Sequence, residues 1–215
     1  MTAEGPSPRR ASAHWERVWN SRLPEGMSWF QARPETSLEL IRATGMGPEG
    51  RIIDVGGGVS RLPDALLARG FSRLAVLDLS PTALAVAQER LGVRAVSMEW
   101  LVGDVRSFEP PHPFDVWHDR AVFHFLTNSA DRLGYRQALL RTVPAGGHAI
   151  VGTFGPRGPE RCSGLPVVRY DPASLAVELG PELELAESRE ETHRTPTGAE
   201  QQFIFGRFLR TADRE

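Results

Sequence analysis

The stretch that decides the fold is RIIDVGGGVSRL, residues 51–62. It reads as a short apolar strand over 51–55 that runs into Gly56, Gly57 and Gly58 and then into a helix over 62–69 stopped at Gly70. A strand–glycine–helix turn brings backbone close to a ligand, because glycine lacks Cβ and reaches φ > 0 without strain. Outward from it the pattern repeats. Strands are expected at 74–79, 95–102, 114–118 and 148–153, with helices at 81–91, 130–143 and 172–179. Strands alternating with helices of that length give βαβ units and a parallel sheet. The end departs from this: 182–194 and 201–210 are two apolar-alternating runs joined by TPTGAE, a β-hairpin with one late antiparallel strand.

Before the sheet, HWERVWNSR (14–22) and PETSLELIRATG (34–45) form an N-terminal helical cap over 14–45. Residues 1–13, rich in Pro, Ser and Ala, are expected to be a flexible tail, leaving 14–215 as one domain. The chain of 215 residues has 40% hydrophobic and 24% charged residues and a net charge of −2, which gives no footprint for nucleic acid. All 25 basic residues are arginine, so Schiff-base lysine chemistry and the phosphate-loop lysine are excluded. A single cysteine, no membrane-length apolar run and no signal-type leader point to a cytoplasmic protein. Monomer and homodimer are both compatible with the sequence.

Three ligand classes suit a glycine turn. The phosphate loop fails for want of Gly-Lys-Ser/Thr, and the dinucleotide fingerprint fails because Arg61, or Leu62 in the alternative frame, stands at its third glycine. The pattern that fits is Asp-x-Gly-x-Gly: Asp54, Gly56 and Gly58, with Gly57 between and Ser60 following. An acid just before the glycines repels a pyrophosphate and attracts an ammonium group. S-adenosylmethionine is such a ligand: sulfonium, ammonium and carboxylate without phosphate. Asp78, at the end of the second strand, is placed for the ribose hydroxyls, and Asp104, at the end of the third, for the adenine amine. Leu79 and Val105 follow them in the cofactor set, and His118 joins it from the fourth strand.

On these residues the chain resembles the class I, seven-stranded, S-adenosylmethionine-dependent methyltransferases over 14 to about 210. The resemblance implies a Rossmann-like α/β fold: a mostly parallel sheet of order 3-2-1-4-5-7-6, strand seven antiparallel, helices on both faces. WFQARPETSL, DVGGGVSRLPDALLARG, FDVWHDRAVFHFL and GPERCSGLPVVRYD look like one group of small bacterial methyltransferases, and WHDRAVFHFL is similar to the Trp-Asp-Arg segment of thiopurine and thiol methyltransferases. A looser similarity to small lysine methyltransferases keeps a protein-lysine acceptor as the alternative to a small-molecule S, O or N acceptor.

Transfer from a sulfonium is an in-line displacement in which positioning and water exclusion do most of the work. Residues 118–125 form the expected methyl-side region. Asp119 is a candidate to hold the ammonium or act as base, Arg120 to fix an anionic acceptor or pair with Asp119, and His124 to share a face with Arg120. Trp29 and Gln31 are expected in the acceptor pocket, under the cap, with Cys162 contributing from the loop after strand five. Trp15 and Trp19 read as ordinary helix core. No Asn-Pro-Pro-Tyr/Phe follows strand four and no acid cluster resembles a magnesium site, so no metal is expected; S-adenosylhomocysteine is the expected product.

Overall fold

In the computed structural model, which describes residues 8–21 and 23–212, strand and helix alternate from residue 51 onward. The parallel strands are β1 (Arg51–Val55), β2 (Arg73–Asp78), β3 (Glu99–Val102), β4 (Val116–Arg120) and β5 (His148–Phe154). A minor hairpin follows, β6 (Arg161–Cys162) and β7 (Leu165–Pro166), and then the long strands β8 (Leu183–Arg194) and β9 (Glu200–Arg210). The seven-stranded sheet runs β3-β2-β1-β4-β5-β9-β8, with β9 antiparallel to both neighbours. With the minor hairpin set aside, this is the expected order.

The strand residues split by alternation between two cores. Ile53, Ala75, Trp117 and Ala149 stand in register and face α5 (Ser129–Thr142) and α6 (Pro172–Leu179). Ile52, Val76, Val116 and Ile150 face the other way, onto α2 (Glu35–Ala43), α3 (Leu62–Leu67) and α4 (Pro81–Leu91). Helix starts are written in the sequence. Ser80 caps α4 by accepting from Ala83 N at 3.1 Å, with Pro81 next, and Asp171 and Ser174 form a capping box on α6.

Four details differ from expectation. Helix α1 begins at Pro8 (Pro8–Ser21), so residues 8–13, expected in the tail, are helical; residues 1–7 lie outside the described residues. The expected strand over 95–102 is a 3-10 helix, Gly92–Ser97, followed by the shorter β3. Val96, inside the expected strand, is 89% exposed, as Val93 just before it is at 91%, and neither buries a face against the sheet. Strand β4 reaches two residues further than read, so Asp119 and Arg120 lie in it. The loop around Cys162 folds into the β6–β7 hairpin because Ser163 and Gly164 both take positive φ, 50° and 78°.

Strands β8 and β9 continue past the end of β5. The β5–β9 ladder stops at Phe154 and Phe203, whereas the β8–β9 ladder runs on to Arg194 and Glu200. The hairpin therefore overhangs the carboxyl ends of the parallel strands, where open α/β sheets bind ligands.

Candidate active site

The glycine turn is shaped by what surrounds it. Gly56 and Gly58 hold φ of 63° and 46°, so both need glycine. A Cβ on Gly57 would stand 2.7 Å from Asp54 Oδ2, and one on Gly58 would stand 2.9 Å from the Trp19 ring. One on Gly56 would overlap Val122. The turn is pressed between the Asp54 carboxylate, helix α1 and the loop after β4.

Asp54 and His118 face each other across the β1–β4 register. His118 Nδ1 donates to Asp54 Oδ1 at 2.7 Å, and its Nε2 meets Ser37 Oγ of α2 at 2.8 Å. Asp54 Oδ2 is buried with no hydrogen-bond partner. Arg120, two residues beyond His118 and so on the same face, donates from Nη1 to Trp29 O at 2.9 Å and lies 4.4 Å over the Phe203 ring. Glu191 of β8 stands 3.7 Å from Nη2, and Nε and Nη2 make no hydrogen bond although the side chain is only 11% exposed. Burial lowers its pKa to about 10, opposed by Glu191, so it stays cationic at neutral pH. A narrow slot of about 60 Å³ is lined by both unsatisfied groups, with His118, Gly57, Ser60 and Gln31. A buried carboxylate oxygen and buried guanidinium N–H groups left unpaired are costly unless a ligand completes them.

The slot shares Gly56, Trp19, Trp29 and Arg120 as walls with a second cavity, a chamber of about 310 Å³. At one end of it stand Asp78, Leu79, Asp104 and Val105. Asp78 Oδ1 accepts from Ser80 N at 2.8 Å. Burial pushes its pKa up to about 7, opposed by the Ser80 and Gly58 amides and reinforced by nearby Asp54 and Glu16. Asp104 differs from expectation in that Arg106 already engages both its oxygens, with Nε 3.0 Å from Oδ1 and Nη2 2.6 Å from Oδ2. Arg106 also bridges to Asp131 at 2.9 Å, so one guanidinium is shared between two carboxylates at this end of the chamber.

Two predicted site residues turn away. Asp119 is fully buried on the α5 face and lines neither cavity. Its oxygens accept from Val122 N at 2.8 Å, Phe123 N at 3.0 Å and Tyr135 Oη at 2.7 Å, and Tyr135 accepts from Trp117 Nε1 at 2.9 Å. It therefore holds the turn after β4 instead of an ammonium or a reacting proton, and it makes no pair with Arg120. His124 is also fully buried, outside both cavities, between Phe125 and Phe154. Burial, with Arg120 adding, pushes its pKa down to about 3; it is a neutral core histidine and does not share a working face with Arg120.

The remaining expectations fall at the cavity: Trp29 lines both compartments, Gln31 the slot and Cys162 the chamber. Burial raises the Cys162 thiol to about 11, so it packs as an apolar group. Gly58 lines neither compartment but supports Asp78 with its amide. Trp15 and Trp19, read as helix core, line the chamber with Phe125, Phe154 and Phe203. Trp29 is edge-on to both tryptophans, at ring distances of 6.0 and 5.7 Å. The amphipathic stripe of α1 marks the buried face, but core and cavity wall leave the same stripe. Glu191, on the overhanging hairpin, had no sequence signal; it accepts from Gln31 Nε2 at 2.6 Å and so ties the cap to the hairpin.

Residues 52–147 match the family described as "Methyltransferase domain". A curated relative, Nodulation protein S of Rhizobium tropici, is 27% identical over 114 residues, covering 53% of this chain and 47% of the relative, about half the length of each. Two solved structures share the fold. N-methyltransferase NodS from Bradyrhizobium japonicum WM9, in complex with S-adenosylhomocysteine, has a TM-score of 0.70 at 17% identity, covering 92% of this chain and 98% of that one. The Burkholderia thailandensis 1,6-didemethyltoxoflavin-N1-methyltransferase with bound 1,6-didemethyltoxoflavin and S-adenosylhomocysteine has a TM-score of 0.69 at 17% identity, covering 99% and 95%.

Proposed function

We propose, from the premise that this chain is a class I S-adenosylmethionine-dependent methyltransferase, that it moves a methyl group by in-line displacement onto a small molecule held in the aromatic chamber. One observation carries the reading. Asp54 Oδ2 and the Arg120 Nε and Nη2 groups, all buried and unsatisfied, share one slot beside the glycine turn. An amino-acid end places an ammonium and a carboxylate on one carbon, and this slot offers each its counter-charge. S-adenosylmethionine, when bound, supplies an already activated methyl on a sulfonium leaving group.

The chain's own residues supply the rest. Asp54, oriented by His118 and Ser37, receives the ammonium, and Arg120 receives the carboxylate. Asp78 accepts from the ribose hydroxyls. The Val105 edge of the chamber takes the adenine, with Asp104 contributing through an oxygen it shares with Arg106. Faces of Trp15, Trp19 and Trp29 attract the sulfonium and exclude water. The carboxylates lining the chamber are Asp78, Asp104 and Asp131, all at the nucleoside end, so the acceptor end offers a lysine ammonium no counter-charge. That supports a small-molecule acceptor over a protein lysine. The buried reduced cysteine supports a cytosolic setting.

Calorimetry with S-adenosylhomocysteine tests the assignment. Wild type should bind, while Asp54→Asn and Arg120→Met each lose about tenfold or more, the worth of one charged hydrogen bond. Circular dichroism confirms that the variants are folded. No heat at millimolar ligand, or variants that bind like wild type, would remove the slot from the cofactor site.

A further inference from the structure

The cofactor reading accounts for the slot and the nucleoside end of the chamber, but not for its α1 wall. His14 lines the chamber, and its Nε2 is buried with no hydrogen-bond partner. The ring stands edge-on to Trp15 at 5.4 Å, and Trp15 in turn stands edge-on to Phe125 at 5.1 Å. Phe154, Phe203 and Trp29 complete the wall. Rings set edge-on around a gap suit a flat aromatic guest, whose own faces and edges can meet them.

The polar requirements narrow the guest further. A buried imidazole nitrogen without a partner is a loss that a donor must repair. Burial lowers the His14 pKa and nearby Arg17 adds to this, opposed by a hydrogen bond between the ring and the Ser163 backbone. The imidazole is therefore neutral at neutral pH, and Nε2, the nitrogen without a partner, is left to accept a hydrogen bond. Arg10 and Arg17, exposed on the same helix and lining the same chamber, add positive charge that disfavours a cationic guest.

We propose that the acceptor is a planar aromatic molecule carrying an ionisable O–H, S–H or ring N–H, and that this group donates its proton to Nε2 of His14. This rests on the methyltransferase reading and names its substrate class. In the transfer the acceptor atom's lone pair bonds to the methyl carbon, and the carbon–sulfur pair stays on sulfur. The acceptor's proton passes to Nε2, which returns it to water. His14 is thus a catalytic residue, touching the acceptor atom itself.

The test uses the full chain saturated with S-adenosylhomocysteine and two matched probe pairs, phenol with anisole and indole with 1-methylindole. The pairs differ only in whether X–H or X–CH3 faces His14. Calorimetry on wild type should show the X–H member of each pair binding about tenfold tighter, the worth of one net hydrogen bond. In His14→Phe that ratio should fall to about one, and in His14→Gln, which keeps an acceptor oxygen, part of it should survive. Equal binding within pairs, an undiminished ratio in His14→Phe, or no binding of any probe would overturn the proposal. S-adenosylhomocysteine affinity, measured first on each variant, separates the readings. If wild type fails to bind it, the cofactor assignment is lost; if it binds while the probes show no preference, only the acceptor class is lost.

Discussion

Asp78 is where pH should act on cofactor binding. Its carboxyl titrates near 7 in the folded chain, far above its ordinary 3.8, chiefly because it is buried. The ionised form, able to accept from both ribose hydroxyls, is therefore complete only above about pH 7. S-adenosylhomocysteine affinity should fall as pH drops from about 8 to 6, approaching tenfold per unit below 7, the limit for uptake of one proton. Asp78→Asn should bind weakly at pH 8 and show a flattened profile. For stability the sign is reversed: a raised carboxyl pKa makes ionised Asp78 a cost to the ligand-free fold above pH 7, relieved as pH falls toward 3.8. Calorimetry across that range checks the first point, and a flat wild-type profile would refute it. At this scale the glycines and Asp54 were legible because backbone chemistry restricts them. Asp119 was not. Ending β4 at His118 made Asp119 and Arg120 look like loop residues free to face the ligand. Two more residues of strand dictate the outcome, since neighbours on a strand point to opposite faces. His118 and Arg120 face the slot, and Asp119 must face α5.

Helix α1 is tied to α4 through one carboxylate. Glu16 accepts from Ser80 Oγ and from Thr82 Oγ1, both at 2.6 Å, which latches α1 onto the start of α4. These bonds hold its carboxyl below the ordinary range. Because α1 brings His14, Trp15 and Trp19 to the cavity, Glu16→Ala should loosen the wall without touching a ligand. Tryptic cleavage after Arg9, Arg10 and Arg17 should accelerate several-fold, and S-adenosylhomocysteine affinity should fall about three- to tenfold, one or two hydrogen bonds' worth. Limited proteolysis with calorimetry checks both, and unchanged cleavage would show that the latch is not what holds α1. Elements were readable from the sequence to the extent that local chemistry writes them. Pro81 after Ser80 and Pro172 after Asp171 set the starts of α4 and α6 correctly. The strand expected over 95–102 started too early because an apolar residue supports a strand only where its face is covered, and Val96 lies in the open.

The whole molecule converges on one cavity. A mostly parallel sheet with one late antiparallel strand was legible from the βαβ alternation and the hairpin, whereas the order of its strands came only with the resemblance to the class I methyltransferases. That β8 and β9 overrun β5 was not legible, because strand length along the chain does not say how far its neighbour extends. The overhang has a consequence. Glu191 reaches Gln31 and Arg120, and His193 Nε2 meets Ser28 O at 2.8 Å, so the β8 edge of the sheet clasps the N-terminal cap across the site. Cap, sheet ends and hairpin then share walls of one ligand cavity, and ligand binding should tighten all three together. S-adenosylhomocysteine at about 100 times its Kd should add about 2.7 kcal/mol to stability. At about 2–4 °C per kcal/mol for a chain of this size, Tm should rise by about 5–10 °C. Scanning calorimetry should show that rise within a single transition, and Asp54→Asn, binding about tenfold weaker, should show about half of it or less at the same ligand concentration. If the ligand shifted only part of a split transition, leaving the hairpin or the cap to melt where it melts alone, the clasp would not couple them and the site would be built from the parallel strands only.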